Sequence, residues 1–160
     1  MSDLARLYQE IILEHHRAPR RAGRLSAPTH AADGHNPLCG DRVGVTLEVA
    51  GGRVVDAGCE VRGCAICRAS GSLMAETVVG RELGELRAFS ARFLAALAAE
   101  PSAAATGAGS SDPAAAAGAD GGDAAGFGPL AALLEARRFP NRRRCASLSW
   151  EVLERALTSS

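Results

Sequence analysis

A glycine turn between two alternating stretches most restricts the fold of this chain. Apolar residues before the turn recur at every second position, which is the period of a strand with one buried face. They are Val43, Val45, Leu47 and Val49. Gly51-Gly52 is typical of a tight hairpin, so residues 53–62 are predicted to return as an antiparallel strand. With one short extra strand expected around residues 29–32, the chain should contain a small antiparallel sheet.

Helical periodicity predicts several helices, which would form the layer that covers this sheet. Apolar residues recur at helical spacing in five stretches: 3–17, the run between Gly63 and Gly80, 82–100, 130–138 and 147–157. Pro140 should break the fourth of these. Helix, small sheet, then helices is the order of an α+β fold, with an antiparallel sheet packed against several α-helices. At 160 residues, a single domain over residues 1–160 is expected.

Residues 101–128 have a different composition from the rest of the chain. Eighteen of these 28 residues are Ala or Gly, and the only charges are three Asp. No apolar periodicity is visible, so the stretch has little to bury. We therefore expect a flexible Ala/Gly-rich insertion here.

Net charge and the lengths of the apolar runs argue against some partners and compartments. The formal net charge is zero, and neither half of the chain is basic, which argues against a nucleic-acid partner. No apolar run approaches the roughly 18–20 residues of a membrane span, and charges interrupt the apolar pattern of residues 1–17. These patterns predict a cytoplasmic protein without membrane association. In a reducing compartment, clustered cysteines indicate metal binding or catalysis more often than disulfides.

Three of the five cysteines stand at the edges of predicted elements. Cys39 lies in HNPLCGD, between a stiff Pro37 and Gly40, with Asp41 two residues away. Cys64 falls between a strand end and a helix start, where the helix dipole favours a thiolate. Cys145 follows Asn-Arg-Arg-Arg, and we expect it at the start of the last helix with its thiolate favoured by arginine. Zinc takes four sulfur, nitrogen or oxygen ligands, and Cys39, Asp41, Cys64 and Cys145 offer such a set.

The remaining candidates have simpler interpretations. Cys59 alternates with strand positions and is interpreted as a core thiol. Cys67, one turn into a helix, either packs or serves the site. His15 and His16 are adjacent on a helix and face different ways, so they are not expected to bind metal together. The arginines between residues 137 and 144 indicate a solvated face or a partner surface.

Cys64 and Cys67 form a Cys-x-x-Cys pair, which also occurs in dithiol oxidoreductases of the thioredoxin type. Here the preceding strands form a hairpin and not a βαβ unit. Inside a regular helix, β-carbons three residues apart are about 5–6 Å apart, whereas a disulfide needs roughly 3.5–4.5 Å. A disulfide therefore requires Cys64 to be the cap residue, and geometry alone leaves this alternative open.

Four ordered motifs now coincide: LYQEIILEHHRAPRRAG, NPLCGD, GCAICRASGSLM and FPNRRRCASLSWEVLERAL. Together they resemble the IscU/NifU N-terminal family of iron–sulfur cluster assembly proteins, specifically its SufU type, over nearly the whole chain outside 101–128. IscU-type chains carry a His before the last cysteine, whereas Arg144 precedes Cys145 here. SufU-type chains also carry an insertion between the second and third cysteines, and 80 residues separate Cys64 from Cys145.

The resemblance implies a function and a set of site residues. Cys39, Asp41, Cys64 and Cys145 match the family's ligands for zinc, with iron or a transient [2Fe–2S] cluster as the alternative load. Arg142 matches an arginine beside the site. The expected partner is a SufS-type cysteine desulfurase that donates sulfur to Cys39, followed by other Suf assembly proteins and apo-protein acceptors.

Cys67 departs from the pattern, because SufU-type chains usually have serine there. It is thus a bystander, a fourth thiolate ligand or a resolving thiol. The leading hypothesis is a zinc-bound sulfur acceptor or cluster scaffold, with a zinc-dependent sulfurtransferase as its most enzymatic form. A structural zinc interaction module and a dithiol oxidoreductase are the alternatives.

Overall fold

The computed structural model describes residues 3–37, 40–99 and 127–158. Its sheet has three antiparallel strands in the order β1-β2-β3, with β1 at His30–Asn36, β2 at Asp41–Ala50 and β3 at Arg53–Arg62. The β2–β3 hairpin turns at Gly51-Gly52, both with positive φ, as its sequence predicted. Strand β1 begins close to the predicted position but extends four residues further than expected. Its HAADGHN sequence has little strand propensity, so pairing along β2 maintains it.

In the described ranges, four α-helices and one 3-10 helix accompany the sheet. They are α1 at Asp3–Arg17, α2 at Ala65–Val78, α3 at Leu83–Ala98, the 3-10 helix at Gly128–Arg138 and α4 at Pro140–Thr158. Helix α4 packs on β1 and β2, while α2 packs on β3 and on α4. The α+β fold predicted from the sequence is therefore confirmed. In the described ranges, no helix has both the length and the hydropathy needed to cross a membrane.

The core lies between the sheet and the helices. Val43, Val45 and Leu47 point from β2 into this layer and are at most 2% exposed. Trp150 of α4 is fully buried and lies 4.8 Å, centroid to centroid, from Phe93 of α3. The face of α2 predicted from the sequence is also buried, including Cys67 and Met74.

Helix α1 is fixed to α2 by a buried polar contact. His15 is 5% exposed and its Nδ1 lies 2.7 Å from the Ser72 hydroxyl oxygen, which also accepts a hydrogen bond from the backbone N–H of Arg20. Burial lowers the pKa of His15, so the neutral imidazole is favoured. His15 therefore contributes to the packing of α1 on α2 through this contact.

The last helix begins earlier than predicted. Its expected start was residue 147, but α4 begins at Pro140, which both ends the 3-10 helix and occupies the first helical position. Proline suits that position because its fixed φ is helical and its missing N–H would have no helical partner there. The Arg143 N–H donates to the Phe139 carbonyl at 2.9 Å, which closes the first turn.

The predicted insertion at 101–128 falls mostly outside the described residues, and its flexibility stays a prediction. Its last two residues are described, and they differ from the expectation that the stretch has little to bury. Phe127 is 7% exposed, and its ring contacts Phe89 at 5.5 Å and Phe93 at 5.2 Å in edge-to-face geometry. The apolar core therefore resumes at Phe127, before the 3-10 helix.

Phe127→Ala should lower the free energy of unfolding by about 3–5 kcal/mol, because it removes a buried ring and leaves a cavity. Phe139→Ala removes the same atoms from a side chain that is 52% exposed, and should cost less than about 1 kcal/mol. Urea denaturation of both variants gives the comparison. Equal losses would show that Phe127 does not belong to the core.

Candidate metal site

Three side chains that are distant in the sequence meet at one end of the sheet. Asp41, Cys64 and Cys145 each bring one ligand atom, and these atoms all lie within 4.8 Å of one another. One comes from a strand, one from a helix cap and one from the interior of another helix. Sequence reasoning proposed all three, and the fold brings them together.

Asp41 is the first residue of β2 and is 3% exposed. Its Oδ1 accepts a hydrogen bond from the Cys64 N–H at 3.3 Å, and its Oδ2 lies 3.7 Å from Cys64 Sγ. Gly63 allows this approach, because a Cβ built there would overlap the Asp41 carboxylate. The carboxylate is thus held against the start of α2.

Cys64 is the N-cap residue of α2, as the sequence predicted. The backbone N–H of Cys67 points at its sulfur, at an N–S distance of 3.5 Å. Free N–H groups and the helix dipole at this end place partial positive charge beside the Cys64 sulfur. Cys64 is also exposed and forms no disulfide.

Cys145 corrects the sequence-based expectation. It lies in the second turn of α4, because the helix begins at Pro140, and it is 6% exposed. Burial raises the pKa of its thiol above the ordinary 9.0, and the neighbouring Cys64 and Asp41 act in the same direction. The prediction that arginine and a helix start favour its thiolate is therefore wrong for the metal-free chain.

The donor set matches a divalent metal. Three groups that become negative on deprotonation face one another across less than 5 Å, and such a cluster is stabilised by a cation between them. Two sulfurs and one carboxylate oxygen are ligands that zinc accepts. A tetrahedral zinc separates its donor atoms by about 3.5–3.8 Å, close to the distance between Cys64 Sγ and Asp41 Oδ2.

Cys39, the fourth predicted ligand, lies outside the described residues together with Leu38. The residues on either side are described. The Gly40 N–H donates to the Asn36 carbonyl at 2.8 Å, and Gly40 has φ of 77°, so the sequence turns here into β2. The left-handed conformation explains the glycine of Asn-Pro-Leu-Cys-Gly-Asp.

The other two cysteines are not part of the cluster. Cys59 is 4% exposed, and burial raises the pKa of its thiol to about 12, which agrees with its interpretation as a core thiol. Cys67 is fully buried in the core layer. Its spacing from Cys64 therefore directs it inward, away from the solvent-accessible sulfur of the cap.

A cavity of about 900 Å³ opens beside the cluster, lined by Cys64 and Cys145. Arg142, predicted to lie beside the site, is exposed on its wall, and its guanidinium carbon lies 5.1 Å from the centre of the Phe139 ring. Arg144 lines the same cavity. The arginine run thus contributes to an accessible surface next to the cluster.

The apolar wall of this cavity was missed by sequence reasoning. Leu13 of α1 is 36% exposed and Phe139 is 52% exposed, and both line the cavity. Apolar periodicity marks residues that pack, so it cannot separate a core position from a position facing a cavity. The exposed Leu7 of the same helix illustrates the problem, because it follows the helical spacing yet lies outside the core.

In the metal-free chain, Cys64 should react with iodoacetamide at pH 8 at least about 100-fold faster than Cys59. Cys64 is exposed at a helix N-terminus, whereas Cys59 is buried with a raised pKa. Cys145 should also react more slowly than Cys64. Timed alkylation followed by peptide mass spectrometry measures all three, and equal rates for Cys64 and Cys145 would contradict the described geometry.

Known proteins share both the sequence and the fold. The chain is 30% identical over 156 residues to "Zinc-dependent sulfurtransferase SufU" of Bacillus subtilis, covering 98% of this chain and 92% of that protein. It is 26% identical over 160 residues to "Iron-sulfur cluster assembly scaffold protein IscU" of Streptococcus pyogenes, covering all of this chain and 88% of the relative. The crystal structure of a nitrogen-fixing NifU-like protein (N-terminal) from Brucella abortus superposes with a TM-score of 0.67 at 28% identity, over 98% of this chain and 95% of that one.

A family model agrees with these similarities. The model described as the NifU-like N terminal domain matches residues 7–117, which is more than half of the chain. The resemblance to the IscU/NifU N-terminal family and its SufU type, predicted from the four motifs, is thereby confirmed. With its three-stranded sheet, its helices and its Asp-Cys-Cys cluster, the chain belongs to the family of NifU-like N-terminal domains.

Proposed function

We propose that this protein acts in iron–sulfur cluster assembly, holding zinc at Cys39, Asp41, Cys64 and Cys145 and accepting sulfur on Cys39. The observation that carries the proposal is the cluster of two thiols and a carboxylate at the wall of an open cavity. The names of the SufU and IscU relatives support the same assignment. The donor is proposed to be a SufS-type cysteine desulfurase.

The described ligands differ in how firmly the fold holds them. Cys145 is buried inside α4, and Asp41 is buried and bonded to the N–H of Cys64. Zinc, when bound, keeps its thiolate ligands deprotonated near neutral pH. Cys39 falls between β1 and β2 in the sequence and is proposed to complete the set, because it stands two residues before Asp41.

Sulfur transfer requires a thiolate that can leave the site. The Cys39 thiolate attacks the terminal sulfur of the partner's cysteine persulfide. A new S–S bond forms on Cys39 as the original S–S bond breaks, and the partner cysteine departs as a thiolate. The number of electrons is conserved, so the step needs no oxidant. Cys64 and Cys145, anchored in helices, are proposed to retain the metal, and Asp41 to tune its exchange.

The cavity provides access for the partner. Its apolar wall, with Leu13 and Phe139 exposed, can bury the apolar stem of a loop that carries the persulfide. Arg142 places a positive charge on the same wall, which favours an anionic persulfide. Iron or a [2Fe–2S] cluster, as cargo, would be held by the same sulfur ligands.

The two alternative functions receive less support. A structural zinc module usually closes its metal off, whereas Cys64 is exposed beside a cavity. A dithiol oxidoreductase needs a second sulfur that can reach its partner, and Cys67 is fully buried. The single experiment that separates a sulfur acceptor from both alternatives is desulfurase turnover with and without the zinc-loaded protein. A sulfur acceptor increases turnover, whereas a structural module or an oxidoreductase leaves it unchanged.

Cys39→Ala should abolish sulfur acceptance while the fold and part of the zinc remain. Cys67→Ser, which restores the usual SufU-type residue, should keep zinc binding and most of the activity. The unmodified protein and both variants are incubated with desulfurase and cysteine and analysed by mass spectrometry. In the unmodified protein, added sulfur found on Cys64, Cys67 or Cys145 but never on Cys39 would overturn the acceptor assignment. Loss of zinc in Cys67→Ser would make Cys67 a ligand.

Gly63→Ala should weaken zinc binding by about 10-fold or more, because its methyl group displaces the Asp41 carboxylate. Gly84→Ala is the matched control, since a Cβ at Gly84 meets no atom within 4 Å. Competition with a chromogenic chelator gives both affinities. Unchanged affinity in Gly63→Ala would remove Asp41 from the ligand set.

A further inference from the structure

The solvent-facing side of the sheet carries three rows of side chains that cross all three strands, and a fourth row, Glu48 opposite Asp56, that crosses only β2 and β3. The strand register places Ala31, Thr46 and Gly58 in the first row, Asp33, Gly44 and Glu60 in the second, and His35, Arg42 and Arg62 in the third. The third row lies at the end of the sheet that holds Asp41. The rows differ in whether their polar side chains find hydrogen-bond or ion-pair partners within the described residues.

The first and second rows are satisfied within the chain. The loop before β1 crosses the first row, where the Leu25 N–H donates to the Thr46 hydroxyl at 3.1 Å. Arg24 lies over Gly44 in the second row and bonds Asp33 on one side and Glu60 on the other. A Cβ at Gly44 would overlap this guanidinium, so the glycine makes space for it.

The third row is made only of basic residues. His35, Arg42 and Arg62 are all exposed, and among the described residues none of them has a carboxylate within ion-pair distance. Arg42 and Arg62 are directly opposite each other, a like-charge arrangement that destabilises a strand pair. The fold therefore accepts an unfavourable contact at this position, and an anionic partner would relieve it.

The row adjoins the metal site from the side opposite the core. Arg42 follows Asp41 in β2, and Arg62 is two residues before Cys64. Because successive strand residues face opposite ways, Asp41 points to the core side and Arg42 to the solvent side. A molecule bound to the row would sit next to the cluster without occupying the apolar cavity, which is lined by other residues.

We propose that His35, Arg42 and Arg62 form a docking site for an acidic segment of a partner protein. Neighbouring strands are about 4.8 Å apart, so the row spans about 10 Å. Acidic residues three or four positions apart on a helix have β-carbons about 5–6 Å apart, which is close to the spacing between adjacent members of the row. The partner would be held by its acidic residues while the metal site remains open on its cavity side.

Other anionic occupants fit the row less well. A nucleic-acid surface needs an extended basic stripe, usually with aromatic rings for stacking, and this row offers neither. The stretch 101–126 of the same chain contains Asp112, Asp120 and Asp123. Their spacings of eight and three residues do not give three carboxylates at the interval of the row.

The test uses the zinc-loaded chain of residues 1–160 and a fluorescein-labelled hexaglutamate peptide, with binding measured by fluorescence anisotropy at low salt. The variant R42S/R62S should weaken binding at least about tenfold, and R42K/R62K should largely restore it because the charge returns. The matched control R6S/R17S removes the same net charge from exposed positions on α1 and should bind as the unmodified protein does. Zinc content and melting temperature confirm that each variant is folded.

Several results would overturn the proposal. One is the absence of peptide binding by the unmodified protein. Equal affinity of R42S/R62S and R6S/R17S for the peptide would show that the row is not the binding site. A labelled oligothymidylate that binds more tightly than the peptide, and is lost in R42S/R62S, would assign the row to nucleic acid. Peptide binding that requires deletion of residues 103–125 would assign it to the chain's own aspartates.

Discussion

The contact between α2 and α4 determines whether this chain has a site at all. Cys64 and Cys145 are separated by 80 residues and meet only because these two helices pack in one register. A buried hydrogen bond from the Ser70 hydroxyl to the Ala146 carbonyl, at 2.6 Å, joins the helices next to Cys145. A buried polar group is costly unless it is paired, so this bond disfavours any shift of one helix along the other. The metal site thus depends on core packing for its precision.

Local patterns predicted most of the fold because most elements carry their own signals. The hairpin has alternation and a Gly-Gly turn, and α1 to α3 have apolar periodicity with clear ends. Strand β1 lacked such signals, since its length depends on pairing with β2. The start of α4 was misplaced because Pro140 was interpreted only as a helix breaker, although proline is also favoured at the first helical position.

The candidate site was predictable in its members and less so in its chemistry. Residue types and motif context identified Asp41, Cys64 and Cys145, and the cap position of Cys64 followed from the junction of strand and helix. For Cys145, neighbouring arginines in the sequence suggested a stabilised thiolate, whereas burial raises the pKa of the thiol. Sequence neighbours on a helix face different directions: Arg142 and Arg144 are exposed, whereas Cys145 is only 6% exposed although it also lines the cavity. Only the folded arrangement separates these environments.

The carboxylate among the donors has a chemical consequence. Four thiolates would hold zinc with its preferred soft ligands. A carboxylate oxygen is a harder donor, which suits magnesium or calcium better than a metal that prefers thiolates. Cys67 is the nearest further sulfur in the sequence. It lies three residues after the cap residue Cys64, its side chain faces the core, and it packs there. Asp41, whose carboxylate accepts the Cys64 N–H at 3.3 Å, would therefore be the more exchangeable donor. This serves the proposed sulfur transfer, in which the metal stays on the anchored thiolates while its coordination changes.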